Sequence, residues 1–410
     1  LGLAYLVYPG AVHTRFDHAL GVYHLARRSL QVLSDRGDTA RLDPLDCRLT
    51  PLAALLHDIG HYPFSHAVEE LEEGRLPGHH EAVVGLFLTD PDVREALESV
   101  TPDAAAGIEA LVRGRSASPL QGLVSGSLDL DKIEYLKRDA RFCGVPYGDV
   151  DVDRLLDGLR LLEDPATGRL EVGVHEKGLA ALESLLFAKY QMFRNVYWHH
   201  AVRAATAMYK RVVDDALAVG LLDPGELVGQ TDEALLSLLE QRAAGRCEGD
   251  EVADEAGARR VAQRVGALRT RRLPKRAAEI VSAELGDAGP GDWLGIDSTL
   301  KRRLEDRLAQ ELGLGDGDVY LDYPEKRAMF GLNLLLLRRS GEVLRLGPGG
   351  RAGLIGLPSV AESLYRSARV LRLFTWPERR VVAAEQLADI VALTPTEVEK
   401  RLDEGAAILS

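Results

Sequence analysis

Four side chains that can bind a metal ion or transfer a proton lie within ten residues, in the segment HDIGHYPFSH at 57–66. They are His57, Asp58, His61 and His66. Imidazole and carboxylate groups together suit first-row divalent metals. Gly60 interrupts any helix face shared by His57 and His61, and the zinc-protease pattern HExxH is absent. The segment therefore indicates a metal site whose remaining ligands come from elsewhere in the chain.

The remaining ligands are sought among the other histidines and acids of the first half. Eight of the 11 histidines occur in the first 80 residues, and His18 falls in the first turn of an earlier predicted helix. The segment LDLDKIEY at 128–135 offers Asp129 and Asp131, which are two positions apart and so face different ways on a helix. Only one of them is expected to reach the ion. Taken singly, His18 and His57 could be structural residues, but their joint occurrence with the aspartates favours a metal site.

Most of the chain is predicted to be helical. Apolar residues between Asp17 and Val32 recur at helical spacing, and Thr14 with Asp17 resembles a capping box. Thr50 followed by Pro51 predicts a second helix start, with Gly60 at its end. Further helices are predicted over 79–100, 104–114, 125–140 and 177–218, the last as one or two helices.

The C-terminal part has a different pattern. Residues 314–323 and 332–346 predict strands of a small α+β portion, and 243–257 predicts a surface loop or a boundary. Residues 382–402 predict a helix, a turn and a helix, but the second helix lacks the basic residues expected of a DNA reader. We therefore expect a mainly α fold in three parts, at 1–220, 221–375 and 376–410.

Composition limits the class of protein. The formal net charge is −13, which argues against a basic surface for duplex nucleic acid, although not against a local basic pocket. The apolar runs are short, so no membrane-spanning helix is predicted, and no signal peptide is visible. The three cysteines are widely spaced, as expected for reduced thiols in a cytoplasmic protein.

Four segments together resemble the HD-domain superfamily, and more narrowly its deoxynucleoside triphosphate triphosphohydrolase (dNTPase) branch. They are HTRFDHALGVYHLARR, ALLHDIGHYPFSHAVE, HHEAVV and LDLDKIEYLKRDARFCGV, and the resemblance covers roughly residues 1–220. It implies an HD-domain helical fold and a homo-oligomer that uses one divalent ion, such as Mn, Mg, Fe or Zn. It also implies a reaction in which a dNTP and water give a deoxynucleoside and triphosphate.

The resemblance assigns roles to individual residues, and each assignment is an expectation. The implied metal ligands are His18, His57, Asp58 and Asp131, so that Asp131 is selected over Asp129. The implied catalytic histidines are His61, His66 and His80. The implied substrate contacts are Arg15 and Lys132 for the phosphates, Tyr135 and Asp139 for the sugar, and Arg194 and Tyr197 from the segment RNVYWHH.

The residues support this chemistry independently. Two imidazoles and two carboxylates leave a divalent ion with net positive charge, and a zinc-like ion lowers the pKa of a bound water from 15.7 to about 7–9. His66, and after it His61, could protonate the leaving alkoxide, or either could merely orient another group. Positions 131, 135 and 139 share one helix face, which would present a ring to a ribose and a carboxylate to its 3′-hydroxyl.

Several alternatives remain open at this point. Asp139 could instead pair with Arg138 or Arg141, and Arg194 and Tyr197 could serve packing alone. Another HD phosphohydrolase, such as a nucleotidase or phosphodiesterase, would share the metal site without needing three phosphate contacts. A nucleotide sensor without catalysis would keep the fold and bind nucleotide without turnover.

Overall fold

The structure is a computed structural model. It describes residues 1–64, 66–71, 76–78, 80–247, 254–285, 293–324, 331–351 and 354–409. Eight side chains within these ranges lie outside the description, those of His66, His80, Arg246, Cys247, Ile296, Pro358, Ser359 and Val391.

The described residues form mostly helices. In chain order the helices are α1 (Arg15–Asp35), α2 (Pro44–Leu56), α3 (His66–Glu69), α4 (His80–Leu88), α5 (Pro91–Glu98), α6 (Ala104–Val112), α7 (Gln121–Val124), α8 (Leu130–Cys143), α9 (Val152–Gly158), α10 (Leu179–Met192), α11 (His200–Ala218), α12 (Asp232–Cys247), α13 (Glu255–Arg269), α14 (Trp293–Ile296), α15 (Ser298–Glu311), α16 (Ala361–Ala368), α17 (Ala384–Ala392) and α18 (Pro395–Asp403). The prediction of a mainly α fold with a smaller α+β portion is confirmed.

The strands form two sheets. They are β1 (Leu159–Glu163), β2 (Leu170–His175), β3 (Lys275–Val281), β4 (Val319–Asp322), β5 (Leu334–Leu337), β6 (Val343–Leu346) and β7 (Val370–Thr375). The four-stranded sheet has the order β1-β2-β5-β6, in which only β2 and β5 run parallel. The three-stranded sheet has the order β3-β7-β4 and is antiparallel.

The predicted strands at 314–323 and 332–346 therefore do not belong to one piece. The second segment forms the hairpin of β5 and β6, which pairs with β2 from the first half of the chain. The first segment contains β4, which pairs with β7 in the other sheet. β5 is buried over most of its length because it lies between β2 and β6, and the short apolar run could not indicate which neighbours it would have.

Helix α1 begins where the sequence predicts. Thr14 is its N-cap, and the side chains of Thr14 and Asp17 each accept from the other's backbone N–H. This capping box satisfies amide donors that a helix start otherwise leaves open.

The predicted start of α2 is wrong. The helix begins at Pro44 with Asp43 as the N-cap, and Pro51 lies inside it. Asp43 accepts from the backbone N–H of Leu45, while the Thr50 hydroxyl donates to the carbonyl of Asp46 at 2.8 Å. Asp43 and Pro44 provide an N-cap and a first-turn proline like those predicted at Thr50 and Pro51, but seven residues earlier. The helix therefore begins at Pro44 and continues through Pro51. It ends at Leu56, and the turn that follows carries His57 and Asp58.

Three helices carry the predicted site. α1, α2 and α8 pack around an apolar cluster that includes Val22, Leu25, Ala54, Ile133 and Leu136. α1 also approaches α8 closely at Gly21, where a Cβ atom would lie 2.1 Å from Glu134 Oε1. The polar ends of these helices are thereby held at fixed separation.

The other predicted helices agree with the structure in kind. Residues 177–218 form α10 and α11, with a π-helical turn at Phe193–Tyr197 between them. Residues 382–402 form α17 and α18. The predicted loop at 243–257 is wrong at both ends, because residues 243–247 continue α12 and residues 255–257 begin α13. Residues 248–253 between them lie outside the description.

Apolar packing crosses the predicted boundaries between parts. One buried cluster includes Leu3, Tyr209, Leu236 and Trp376, which come from all three predicted parts. The three-part division stays a prediction. Among the described residues, no helix has both the length and the apolar character required of a membrane span.

Candidate active site

Three of the predicted metal ligands converge from three segments. His18 on α1, His57 after α2 and Asp131 on α8 each offer one ligand atom, and these atoms lie within 4.8 Å of one another. The distance from Asp131 Oδ1 is 3.1 Å to His18 Nε2 and 3.6 Å to His57 Nε2. One carboxylate oxygen and two imidazole nitrogens at these separations could serve as three ligands of one metal ion.

Asp58, the fourth predicted ligand, lies beside this group. Its Oδ1 is 3.2 Å from His57 Nε2, and its Oδ2 is 3.8 Å from His18 Nε2. Its Oδ1 is also 3.0 Å from His61 Nε2. Asp58 is thus within reach of the same position, although it also holds His61.

The hydrogen bonds of both histidines leave Nε2 as the ligand atom. His18 Nδ1 lies 2.6 Å from Glu134 Oε2, and His57 Nδ1 lies 2.8 Å from the carbonyl oxygen of Ala54. Because both partners are acceptors, each Nδ1 carries the proton and each neutral ring presents the Nε2 lone pair to the cluster. His57 Nε2 is buried and makes no well-formed hydrogen bond in the structure. The donor set therefore fits a divalent metal ion.

The carboxylates of the cluster favour positive charge on the groups between them. Burial opposes the charged form of His18, but its bonds to Asp131 and Glu134 outweigh this effect and raise its pKa to about 10. Burial opposes the charge of His57 too, and Asp58 and Asp131 raise its pKa to about 9. Burial would raise the pKa of Asp131, but His18 and His57 hold it well below the usual range. A divalent ion would supply this positive charge, and its binding would release protons from the imidazoles.

Asp129 has a different role from Asp131. It is the N-cap of α8, and its Oδ1 accepts from the backbone N–H of Lys132 at 3.0 Å. Its other oxygen pairs with the Lys132 amino group. Of the two aspartates, only Asp131 faces His18 and His57, and its role as the ligand stays a prediction.

Three basic residues were predicted to contact the substrate, Arg15 and Lys132 at the phosphates and Arg194 elsewhere in the pocket, and they differ in position. Arg15 Nη1 lies 3.3 Å from Asp58 Oδ2, and its side chain is 46% exposed, so it stands at the edge of the cluster. Lys132 Nζ donates to the carbonyl of Gly126 at 2.8 Å besides pairing with Asp129. Arg194 donates to the hydroxyl of Tyr190 at 2.7 Å. Of these three, only Arg15 has a described side-chain contact with a candidate metal ligand. The phosphate roles of Arg15 and Lys132 and the pocket role of Arg194 stay predictions.

The two predicted sugar contacts lie further along α8. Asp139 Oδ2 accepts from the Tyr197 hydroxyl at 2.8 Å, and Asp139 Oδ1 lies 2.8 Å from His13 Nε2. The rings of Tyr135 and Tyr197 meet edge to face with their centroids 6.4 Å apart. Burial and the nearby Asp139 raise the pKa of Tyr197 well above its usual value, so the hydroxyl keeps its proton and donates. The alternative pairing of Asp139 with Arg138 or Arg141 is not found, since Arg138 binds Glu134 instead.

The predicted catalytic histidines are described to different extents. His61 Nε2 lies 3.0 Å from Oδ1 of Asp58, which is itself a candidate metal ligand. The backbones of His66 and His80 start α3 and α4, but both side chains lie outside the described residues. The roles of all three stay predictions.

Two residues at the site were not found from the sequence. Glu134 orients His18, and its spacing of three from Asp131 on a helix was the available signal. His13 binds Asp139, and its only signal was membership of the histidine-rich first 80 residues. Both contacts join segments more than 100 residues apart, with separations of 116 and 126 residues, so pattern analysis could not place them.

The sequence matches two families in succession. Residues 15–116 match the HD domain, and residues 150–348 match the HD associated region. The first range contains His18, His57 and Asp58, whereas Asp131 falls between the two ranges.

Relatives and a solved structure agree with these matches. An uncharacterized protein of Methanocaldococcus jannaschii is 36% identical over 239 residues, which are 58% of this chain and 47% of that protein. The deoxynucleoside triphosphate triphosphohydrolase SAMHD1 homolog of Dictyostelium discoideum is 25% identical over 250 residues, 57% of this chain and 47% of that protein. The chain thus spans about half the length of these curated relatives.

The fold has a counterpart of almost the same extent. The crystal structure of a phosphohydrolase from Bacteroides thetaiotaomicron superposes with a TM-score of 0.65 at 19% identity, covering 92% of this chain and 90% of that one. At this identity the likeness shows that the two chains share a fold over most of their length. The HD domain and the HD associated region place the chain in the HD-domain superfamily, within which it is similar to the dNTPase-like branch.

Proposed function

We propose that the protein hydrolyses deoxynucleoside triphosphates to deoxynucleoside and inorganic triphosphate. The observation that carries this proposal is the arrangement along α8. Its first turn places Asp131 against His18 and His57, and two turns later Asp139 is held by two donors. One helix thus offers a metal ligand and, on the same face, a carboxylate suited to a sugar hydroxyl.

The ligands would hold one divalent ion, for which manganese and magnesium are the first candidates. Bound there, such an ion polarises a phosphoryl oxygen and lowers the pKa of a coordinated water. His18 and His57 would bind through Nε2, with Glu134 and the Ala54 carbonyl keeping both rings in the required orientation. Asp58 and Asp131 would contribute the carboxylate oxygens.

The substrate would be held at both ends. Arg15, half-exposed beside Asp58, would bind a phosphate, because a guanidinium donates well to phosphate oxygens. Lys132 would exchange its bond to Asp129 for a second phosphate. Tyr135 would pack against the deoxyribose, and the Asp139 carboxylate would accept from the 3′-hydroxyl.

The leaving 5′-oxygen needs a proton. His66 is the first candidate for this donor and His61 the second, with His80 as a further phosphate contact. Asp58 would hold His61 as a donor, because a carboxylate stabilises the protonated ring that lies 3.0 Å away. Protonation of the leaving group is worth about two to four orders of magnitude in rate.

Product analysis tests the reaction. The purified protein is incubated with dGTP or dATP and either Mn²⁺ or Mg²⁺, and the phosphate products are separated by anion exchange. We expect intact triphosphate and free deoxynucleoside, and none from the Asp58→Ala variant. Release of pyrophosphate or single phosphates would contradict the proposal and indicate another HD phosphohydrolase.

That second activity has one observation in its favour. Lys132, the second predicted phosphate cation, is bound to the Gly126 carbonyl and to Asp129, so of the two only Arg15 has described contacts at the cluster. A substrate with one phosphate would need no more. Binding of nucleotide without any turnover, unchanged by Asp58→Ala, would favour a sensor. A homo-oligomeric state and a cytoplasmic location complete the proposal, and sedimentation analysis tests the first of them.

A further inference from the structure

His13 lies at the far end of the proposed site from the metal ligands. The segment that contains Gly10, His13 and His18 runs antiparallel to α8. His18 meets Asp131 and Glu134, His13 meets Asp139, and a Cβ atom on Gly10 would lie 2.5 Å from the carbonyl oxygen of Phe142. Asp131 and Asp139 are separated by about 12 Å along the helix axis, at 1.5 Å per residue. The same short segment therefore contacts both ends of the site.

The contact between His13 and Asp139 is well built. Both side chains are more than nine-tenths buried, with exposures of 7% and 8%. Since a carboxylate can only accept, His13 Nε2 carries the proton in this bond. The ring also packs on Phe142, with the two ring centroids 4.6 Å apart, so its orientation is fixed.

His13 and Tyr197 together fix the plane of the Asp139 carboxylate. His13 holds Oδ1 and Tyr197 holds Oδ2, each at 2.8 Å. An ionised carboxylate has about four lone-pair positions, so each oxygen can accept once more. With one donor on each oxygen, the carboxylate cannot rotate, and its free lone pairs keep one direction.

We propose that His13 is a positioning residue that aims Asp139 at the sugar 3′-hydroxyl and thereby sets the preference for nucleotides that carry it. The inference rests on the proposed function for the identity of the substrate. A site built to accept a hydrogen bond discriminates strongly against an analogue that lacks the donor, because the buried acceptor is then left unpaired. Without His13, Oδ1 would be free to turn away, and that discrimination would fall.

The test compares dGTP with 2′,3′-dideoxy-GTP, which lacks the 3′-hydroxyl. For each protein we take the ratio of kcat/KM for the two nucleotides, and the ratio of their dissociation constants measured by calorimetry with EDTA, where turnover does not consume them. The variants are His13→Leu, which removes the donor, and His13→Gln, whose amide can donate from a similar position. His24→Leu, at an exposed position of α1, the helix that begins just after His13, is the matched control.

We expect wild type to prefer dGTP by about tenfold or more in both ratios. His13→Leu should lower both ratios to about one, mainly by weakening dGTP, while His13→Gln and His24→Leu keep them near the wild-type values. A wild-type ratio retained by His13→Leu, or a wild type without preference, overturns the inference. If wild type binds dGTP more tightly than 2′,3′-dideoxy-GTP but releases no triphosphate, the proposed reaction is refuted instead.

Discussion

At the scale of single residues, the site depends on partners that set which atom of each ligand faces the cluster. Glu134 fixes His18 through Nδ1, and the Ala54 carbonyl fixes His57 in the same way. An imidazole can bind a metal through either nitrogen, so these outer bonds decide that both Nε2 atoms are available. Residue type alone does not provide this selection.

The two aspartates at the start of α8 allow a direct test of ligand identity. Asp131→Asn should lower the affinity for Mn²⁺ at least about a hundredfold, since it removes one negative ligand and outer partners alone are worth 10–100-fold. Asp129→Ala should keep the metal but lower the free energy of unfolding by about 1 kcal/mol, because it removes the N-cap. Metal titration against a competing chelator and urea unfolding measure the two effects. The assignment fails if Asp129→Ala loses the metal and Asp131→Asn keeps it.

At the scale of secondary-structure elements, the close approach of α1 and α8 positions the ligands. Gly21 permits it, because a Cβ atom there would lie 2.1 Å from Oε1 and 2.8 Å from Cγ of Glu134. Glu134 cannot easily move aside, since Arg138 Nε holds its Oε1 at 2.7 Å and His18 holds its Oε2.

The Gly21→Ala variant should therefore weaken metal binding by about tenfold, as expected when an outer partner of a ligand is displaced. Calorimetric titration with Mn²⁺ measures the change. Gly266→Ala on α13 is the matched control, because no atom lies within 4 Å of the added Cβ. It should leave metal affinity unchanged and stabilise the helix by up to about 1 kcal/mol. Equal metal affinities in the two variants would show that metal binding does not depend on the position of Glu134.

A second element-scale contact joins the turn before α12 to that helix. Arg242 binds both oxygens of Glu226, at 2.7 and 2.6 Å, and the backbone N–H of Asp223 donates to Glu226 as well. The hydrogen bonds from Arg242 have the largest effect, and together with that from Asp223 they lower the pKa of Glu226 to about 2 from its ordinary value of 4.5. The carboxylate form is thus favoured by folding.

The sign of the pH dependence follows from that lowered pKa. The contribution of Glu226 to stability is fully present above pH 4.5 and is lost as the pH falls towards 2. Urea unfolding at several pH values should show Glu226→Gln to be less stable than wild type at neutral pH, with a difference that shrinks below pH 4.5. A difference that grows on acidification would contradict the argument.

At the scale of the whole molecule, a buried arginine joins a residue of the HD-domain match to the three-stranded sheet. Arg203 on α11 donates to Asp322 on β4 at 2.6 and 2.9 Å and to Glu70 at 2.9 and 3.0 Å. Asp322 is fully buried. Glu70 follows α3, so the contact connects the segment after the metal ligands with residues over 100 positions away.

Arg203→Leu should lower the free energy of unfolding by about 3–5 kcal/mol, because it removes the guanidinium that donates three hydrogen bonds to the buried Asp322. The double variant Arg203→Leu with Asp322→Leu also removes the buried carboxylate and should recover part of that loss. Glu70 keeps a partner in this variant, because Lys210 donates to it at 2.7 Å. Urea unfolding measures both. Arg259→Leu, which breaks an exposed pair with Glu255, is the control and should cost less than about 1 kcal/mol. A loss no larger than in this control would mean that Arg203 does not stabilise the fold.

The sequence by itself determined the local elements and the residue types of the site. The capping box of Thr14 and Asp17, the periodic helices and the pair His57–Asp58 at the end of α2 depend on neighbours within a few positions, which a linear pattern records. Even there, α2 started earlier than predicted, because Asp43 and Pro44 offered an equivalent cap first.

The tertiary structure decided which of these elements meet. The pairing of β2 with β5, the contact of His13 with Asp139 and that of Glu134 with His18 join residues more than 100 positions apart. Such contacts form because packed helices and sheets bring particular faces together, and their free energy depends on shape and burial in three dimensions. A periodic pattern specifies the face of an element but not the partner against which that face is buried.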